Sequence, residues 1–97
     1  MIEYTVRLTR AAEKDLDRLT PSDRGRINQA FCFLEERPFG KLPRMKRLKG
    51  FPFPLYRLRA GDFRILYRVD ETVVTVMRVF NRKNLERTIQ RLRMKRQ

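Results

Sequence analysis

LYRLRAGDFRILYRVDETVVTVMRVF, residues 55–80, decides how this chain is read. It breaks into three consecutive strands. Ala60-Gly61-Asp62 turns the first hairpin, with Gly61 free to take positive φ, and Asp70-Glu71 turns the second. With the two-residue period of a strand, Tyr56, Leu58, Phe63, Ile65, Tyr67 and Val69 fall on one face. Arg57, Arg59, Arg64 and Arg68 fall on the other. Val73 to Phe80 is apolar at both parities, as expected for a central strand covered on both sides. The expectation is a sheet with one apolar face for the chain's own helices and one cationic face for a polyanion.

Upstream, Ile2, Tyr4, Val6 and Leu8 alternate with polar residues, which predicts a half-buried strand. Thr9 suits the N-cap of a helix over about 10–19, in which Ala12, Leu16 and Leu19 recur at helical spacing. Thr20-Pro21-Ser22-Asp23 starts a second helix: Thr20 caps it and Pro21 takes its first position. Ile27, Ala30, Phe31 and Leu34 form the apolar stripe of that helix, and Pro38 ends it. Residues 37–54 contain four prolines and two glycines and read as a loop. It carries Lys41, Arg44, Lys46, Arg47 and Lys49, and no acid after Arg37. It is either a solvated linker or a phosphate-contacting rim beside the cationic face. Leu42, Leu48 and Phe51 are expected to tack it to the core. After Asn81 the period becomes helical again through Leu85, Ile89 and Leu92, and residues 93–97 are expected to fray. The order is β-α-α-loop-β-β-β-α. That predicts an α+β fold: an antiparallel meander joined by the N-terminal strand, an αα-hairpin on one face and a C-terminal helix, in one domain spanning 1–97.

Composition narrows the partner. Lys and Arg number 24 against 11 Asp and Glu, a formal charge of +13 on 97 residues. A general increase in surface charge would raise both signs together, so the one-sided excess points to a polyanion. There is no histidine, which removes the usual general acid/base and the commonest metal ligand, so neither a metal nor another cofactor is expected. The single cysteine, Cys32, excludes an intrachain disulfide, suits a reduced cytoplasmic setting and is expected to be a small core residue. No apolar run reaches membrane-spanning length, so no membrane partner is expected.

The stretches Leu48-Lys49-Gly50, Tyr56-Arg57-Leu58-Arg59, Gly61-Asp62-Phe63-Arg64-Ile65-Leu66-Tyr67-Arg68-Val69 and the exit from Val79 to Arg82 together resemble the RelE/ParE superfamily of toxins from type II toxin–antitoxin pairs. The resemblance spans essentially the whole chain and implies a RelE-like microbial RNase fold held inactive by a cognate antitoxin in a hetero-oligomer. RelE-like members cut mRNA on the ribosome, whereas ParE-like members share the fold and poison DNA gyrase. Carried over position by position, the RelE-like active site falls on Arg57, Arg59, Arg64 and Arg82. The family's C-terminal tyrosine has no counterpart in Lys83-Asn84-Leu85-Glu86-Arg87-Thr88. Phe80 and Asn81 stand where glycine and then histidine or lysine are common.

Attack of a 2′-hydroxyl on the adjacent phosphate needs proton removal, stabilisation of extra charge on phosphorus, and protonation of the leaving 5′-oxygen. Guanidinium groups serve the second need through planar bidentate contacts, and Lys46, Arg47, Lys49, Arg68 and Lys83 are expected to extend the contact with substrate. Arginine is a poor general base because it keeps its proton. The proton-transfer candidates are Lys46, Lys49, Lys83, Tyr67, Asp62 and Glu86, with Lys49 and Lys83 favoured by their crowding among arginines. Three functions remain open: a ribosome-dependent mRNA endoribonuclease that inhibits translation, a gyrase poison without nuclease activity, and an inactive basic nucleic-acid-binding module.

Overall fold

The computed structural model describes residues 3–39 and 44–95; Ile2, Lys41 and Leu42 lie outside the described residues. The element order is β1 (Thr5–Leu8), α1 (Arg10–Asp17), α2 (Pro21–Glu36), β2 (Met45–Leu48), β3 (Leu55–Ala60), β4 (Phe63–Asp70), β5 (Val73–Asn81), a single 3₁₀ turn (Arg82–Asn84) and α3 (Leu85–Lys95). The strands form one sheet in the order β1-β5-β4-β3-β2. The meander β2 to β5 is antiparallel, and β1 adds parallel to β5 with Thr5 opposite Val73.

Local chemistry starts α1 and α2 where the residues predict. Thr9 Oγ1 accepts from the Ala12 amide at 3.1 Å and donates to the Met77 carbonyl at 2.9 Å, so the cap of α1 is also pinned to β5. Thr20 Oγ1 accepts from the Asp23 amide at 3.2 Å, with Pro21 at the first helical position. Ala12, Leu16, Ile27, Ala30 and Leu34 are buried against Leu58, Ile65, Tyr67, Val74, Val76 and Val79. This is the helix-covered face. Its residues on β3 and β4 are those that two-residue alternation assigns to it.

The structure corrects four expectations. Residues 37–54 are not wholly loop. The prolines and glycines flank Arg44–Lys49 without interrupting it, and this run supplies the short edge strand β2, paired Met45 to Leu58 and Leu48 to Leu55. Cys32 is exposed, because it sits two residues, about 200° of helical turn, past the inward-facing Ala30. Arg93 to Lys95 continue α3 rather than fray. Most consequentially, the second face is not uniformly cationic. Leu55, Leu66 and Phe80 are buried there, with Leu48, Phe51, Phe53, Met77 and α3 residues Leu85, Ile89 and Leu92 packed over them. Leu55 was hidden in the sequence by the arginines that alternate with it, and Leu66 by its place between Arg64 and Arg68.

A β-bulge in β5 interrupts the β4–β5 register between Leu66 and Tyr67, leaving Met77 without an opposite residue. Its neighbour Arg78 thereby reaches α1, donating through Nε and Nη2 to Asp15 at 2.8 and 3.0 Å, while the Val79 amide donates to Asp15 Oδ2 at 2.9 Å. The hydrogen bond to Asp15 raises the Arg78 pKa against the opposing effect of burial.

At the centre of the helix-covered face, Tyr67 is fully buried. It stacks on Tyr56 at 5.6 Å and donates its hydroxyl to the Pro38 carbonyl at 2.8 Å. Burial, followed by the Tyr56 ring hydroxyl, holds its ionisation well above the ordinary phenol range. A group with a raised folded-state pKa contributes stability below its unfolded pKa and loses it as pH climbs toward the folded one. Native stability is therefore expected to fall above about pH 10, the ordinary tyrosine value. Tyr67→Phe should remove that component while costing about 1–2 kcal/mol at neutral pH, since it strands the Pro38 carbonyl. Denaturant titrations of both proteins at pH 7 and pH 11 check both expectations.

Candidate functional site

The register of the sheet assembles the cations in cross-strand rows. Arg59 on β3 stands directly opposite Arg64 on β4, which in turn faces Phe80 on β5. One row inward, Arg57 faces Leu66. The Gly61-Asp62 turn closes β3 onto β4 with Gly61 at φ 60°, and the Arg82 amide, just beyond β5, donates to the Asp62 carbonyl at 2.8 Å. Arg82 is thus fastened beside the same hairpin end, where its guanidinium also lies 3.8 Å from the Asp62 carboxylate.

Arg64 is the hub of this arrangement. Its residue surface is 7% exposed, and its Nη1 donates to the Gly61 and Phe63 carbonyls, each at 2.9 Å. Burial lowers its pKa most. The charges of Arg59, Arg57 and Arg82 lower it further, and Asp62 opposes them. Arg57 is lowered in the same way, by burial first and then by Arg59. The other three arginines singled out in the sequence therefore lie within electrostatic reach of Arg64; Arg59 and Arg82 are exposed and Arg57 is partly buried.

The remaining candidates are spread more widely. Lys46 is opposite Arg57 and so shares its face. With Lys49, Leu48, Ile89 and Arg93 it lines a cleft of about 320 Å³ between β2 and α3. Lys83 is exposed on the 3₁₀ turn next to Arg82, where its amide donates to the Asn81 side chain at 3.0 Å. Arg47 is opposite Tyr56, which places it on the helix-covered face, away from the quartet. Arg68 lies four residues along β4 from Arg64, beyond the buried Leu66. There it pairs with Asp70 at 2.9 Å and stacks on Phe53 at 4.5 Å. Among the proton-transfer candidates, Tyr67 is in the core under the opposite face, and Asp62 is the carboxylate within reach of the quartet.

One cation was not singled out in the sequence. Arg26 sits on the exposed side of α2, and only the tertiary fold brings it to the hairpin end, so no local pattern marks it.

In chemical terms, the quartet presents planar guanidinium donors of the kind that suit a phosphate. Preorganised donors of this kind act where negative charge develops. The arginines themselves move no protons at ordinary pH.

An α+β sheet of this kind matches solved RelE-type structures. The fold matches the RelE–RelB complex of Pyrococcus horikoshii with a TM-score of 0.71 and 26% identity, over 84% of this chain and 97% of that one. It matches the RelBE2 toxin–antitoxin complex of Mycobacterium tuberculosis with a TM-score of 0.72 and 35% identity, over 84% and 94%. In sequence, the chain is 36% identical over 89 residues to Toxin RelG of M. tuberculosis, covering 87% of this chain and 97% of that protein. The family described as the ParE toxin of type II toxin–antitoxin systems, parDE, matches residues 6–86. The chain belongs to this RelE/ParE superfamily of toxin–antitoxin toxins.

Crowding four like charges at one sheet end costs folding stability. Arg59→Ser is accordingly expected to raise the melting temperature by a few degrees in low salt and by less in high salt, where repulsion is already screened. The same variant should lose polyanion affinity. Paired thermal scans at 20 mM and 500 mM salt, with a nucleic-acid binding titration, check this trade-off.

Proposed function

We propose that the protein is the toxin of a cytoplasmic toxin–antitoxin pair and acts as a ribosome-dependent endoribonuclease that cuts mRNA and stops translation. The observation that carries this reading is the Arg57, Arg59, Arg64 and Arg82 cluster, built around the buried Arg64 with Arg59 and Arg82 exposed beside it. An RNA phosphate seated there meets donors that need no reorganisation as charge grows on phosphorus. Arg57 and Arg59 would hold its non-bridging oxygens. Arg64, fixed to the turn carbonyls, would stabilise the added charge, and Arg82 would close the site from the far side. No side chain in the cluster is a ready general base. The ribosome would then supply the geometry of attack and part of the proton relay, which explains why such a site would be silent toward free RNA.

Its neighbours among solved structures include a RelE–RelB complex and the RelBE2 toxin–antitoxin complex. By that likeness this chain would be held by a cognate antitoxin in a hetero-oligomer, for which an acidic antitoxin segment suits a surface of net charge +13.

A second reading follows from the ParE family match over residues 6–86 and from the absence of a C-terminal tyrosine. A gyrase-directed poison would use the same cationic end for binding without chemistry.

Induced expression followed by primer extension on a translated reporter separates the two. The nuclease reading expects codon-phased cuts, reduced roughly 10²–10³-fold by Arg64→Ala or Arg82→Ala, the usual effect of removing one preorganised donor. Intact mRNA during growth arrest, together with inhibited supercoiling by purified gyrase, would replace it with the gyrase reading.

A further inference from the structure

The hairpin end that carries the quartet also forms one wall of a separate cavity of about 510 Å³, between α2 and the β3 end of the sheet. Arg26 and Gln29 of α2, Arg44 ahead of β2, and Arg59 of β3 line it, and among the described residues no carboxylate does. Backbone pairing and side-chain contacts fix these positions. The Arg59 amide donates to the Arg44 carbonyl at 2.9 Å, so Arg44 continues the cross-strand row that runs through Arg59 to Arg64. The Arg44 guanidinium curls around the sheet edge and stacks on Phe33 of α2, 4.7 Å from the ring centroid. Arg26 lies against the turn itself: a methyl group built on Gly61 would sit 2.7 Å from Arg26 Nη1. Gly61 therefore separates two cationic sites. Its carbonyl holds Arg64 on one side and its α-carbon supports Arg26 on the other.

We propose that this cavity is a second phosphate subsite, in which Arg26 and Arg44 receive the backbone of the same RNA strand whose neighbouring phosphate lies in the quartet. Arg59 belongs to both sites, so the strand passes over the β3–β4 turn without leaving positive potential. A stacked guanidinium such as Arg44 keeps its hydrogen-bonding edge available while its face is covered, which suits planar bidentate contact with a phosphate. Gln29 adds a neutral donor and acceptor of the kind that engages a ribose hydroxyl. The inference rests on the RNA-directed reading of the quartet and adds to it the path of the substrate.

The test is fluorescence anisotropy with 2′-O-methyl oligoribonucleotides, which lack the nucleophile for cleavage, in lengths of 4 and 10 nucleotides. Wild-type protein should bind the 10-mer more tightly and with a steeper salt dependence than the 4-mer. The double variant Arg26→Gln, Arg44→Gln should lower 10-mer affinity about tenfold and flatten the slope of log K against log[salt] by roughly 1.4, the value for two lost contacts to a single strand. Its affinity for the 4-mer should be nearly unchanged. An equal loss in a control carrying Arg7→Gln and Arg10→Gln, which removes the same charge from β1 and α1, would reduce the effect to net charge and overturn the subsite. Competition for the cavity by poly-glutamate but not by RNA would assign it to an acidic protein segment and overturn it as well. Arg57→Ala with Arg82→Ala tests the quartet independently. If that pair leaves 4-mer binding intact while the cavity variant still weakens the 10-mer, the subsite stands and the quartet reading falls. Melting temperatures of all variants exclude unfolding as the cause.

Discussion

Everything in this structure depends on covering β4 from both sides. Arg64, Ile65, Leu66 and Tyr67 are all buried, although alternate residues of a strand must face opposite ways. Ile65 and Tyr67 are covered by α1 and α2. Leu66 is left for the C-terminal segment, whose Leu85, Ile89 and Leu92 complete the second cluster with Phe51 and Phe53 from the loop before β3. The helix that follows β5, α3, packs on that second face with Leu55, Leu66 and Phe80. Beside this cluster Arg64 is buried, whereas Arg59 and Arg82 stay exposed. The two exposed arginines are thus set by a sheet whose neighbouring positions are committed to packing.

That division explains why Arg64 is buried without becoming a structural ion pair. Taking a guanidinium out of water demands compensation, and the two carbonyls of its own hairpin provide it without neutralising the charge. Arg68 and Arg78, on the same two central strands, take the opposite solution and pair with Asp70 and Asp15. Carbonyl-held and carboxylate-held arginines thus differ in whether the fold neutralises their charge. Asp62 marks the boundary: its carboxylate approaches Arg82, yet both side chains remain largely exposed, so a phosphate can displace that contact at small cost.

The fold was legible wherever local chemistry and periodicity agree. Thr9, the Thr20-Pro21 pair, the Gly61 turn and the stripe Ile27-Ala30-Leu34 each do what their residue types require. The quartet was legible because Arg57, Arg59 and Arg64 lie within the meander and Arg82 follows its last strand, so sequence proximity and hairpin pairing suffice to collect them. Three features escaped for physical reasons. β2 is four residues long and hidden among prolines that restrict its flanks rather than its interior. Leu66 carries no periodic signature because its neighbours on the same face are arginines. The β5 bulge displaces the register after Met77, so Arg78 turns to α1 and no alternation argument applies to it.

Arg47 and Arg26 show the limit of reading cations from sequence alone. Arg47 lies in a strongly basic segment without acids, yet one residue of strand parity moves it to the helix-covered face, opposite Tyr56. Arg26 lies on an exposed helix surface with nothing local to distinguish it, yet α2 carries it against Gly61. Charge composition sets the sign of the partner, but tertiary placement decides which charges act together. The cross-strand row Arg44, Arg59 and Arg64, which begins at the β2 edge and meets Phe80 on β5, is a property of register. It arises because Arg44, Arg59 and Arg64 come into line only when both hairpins close in the frame that buries Leu58 and Ile65. The requirement that packs the helix-covered core therefore also sets the spacing of the cationic end. A one-residue slip in either hairpin would exchange the two faces and disperse the site.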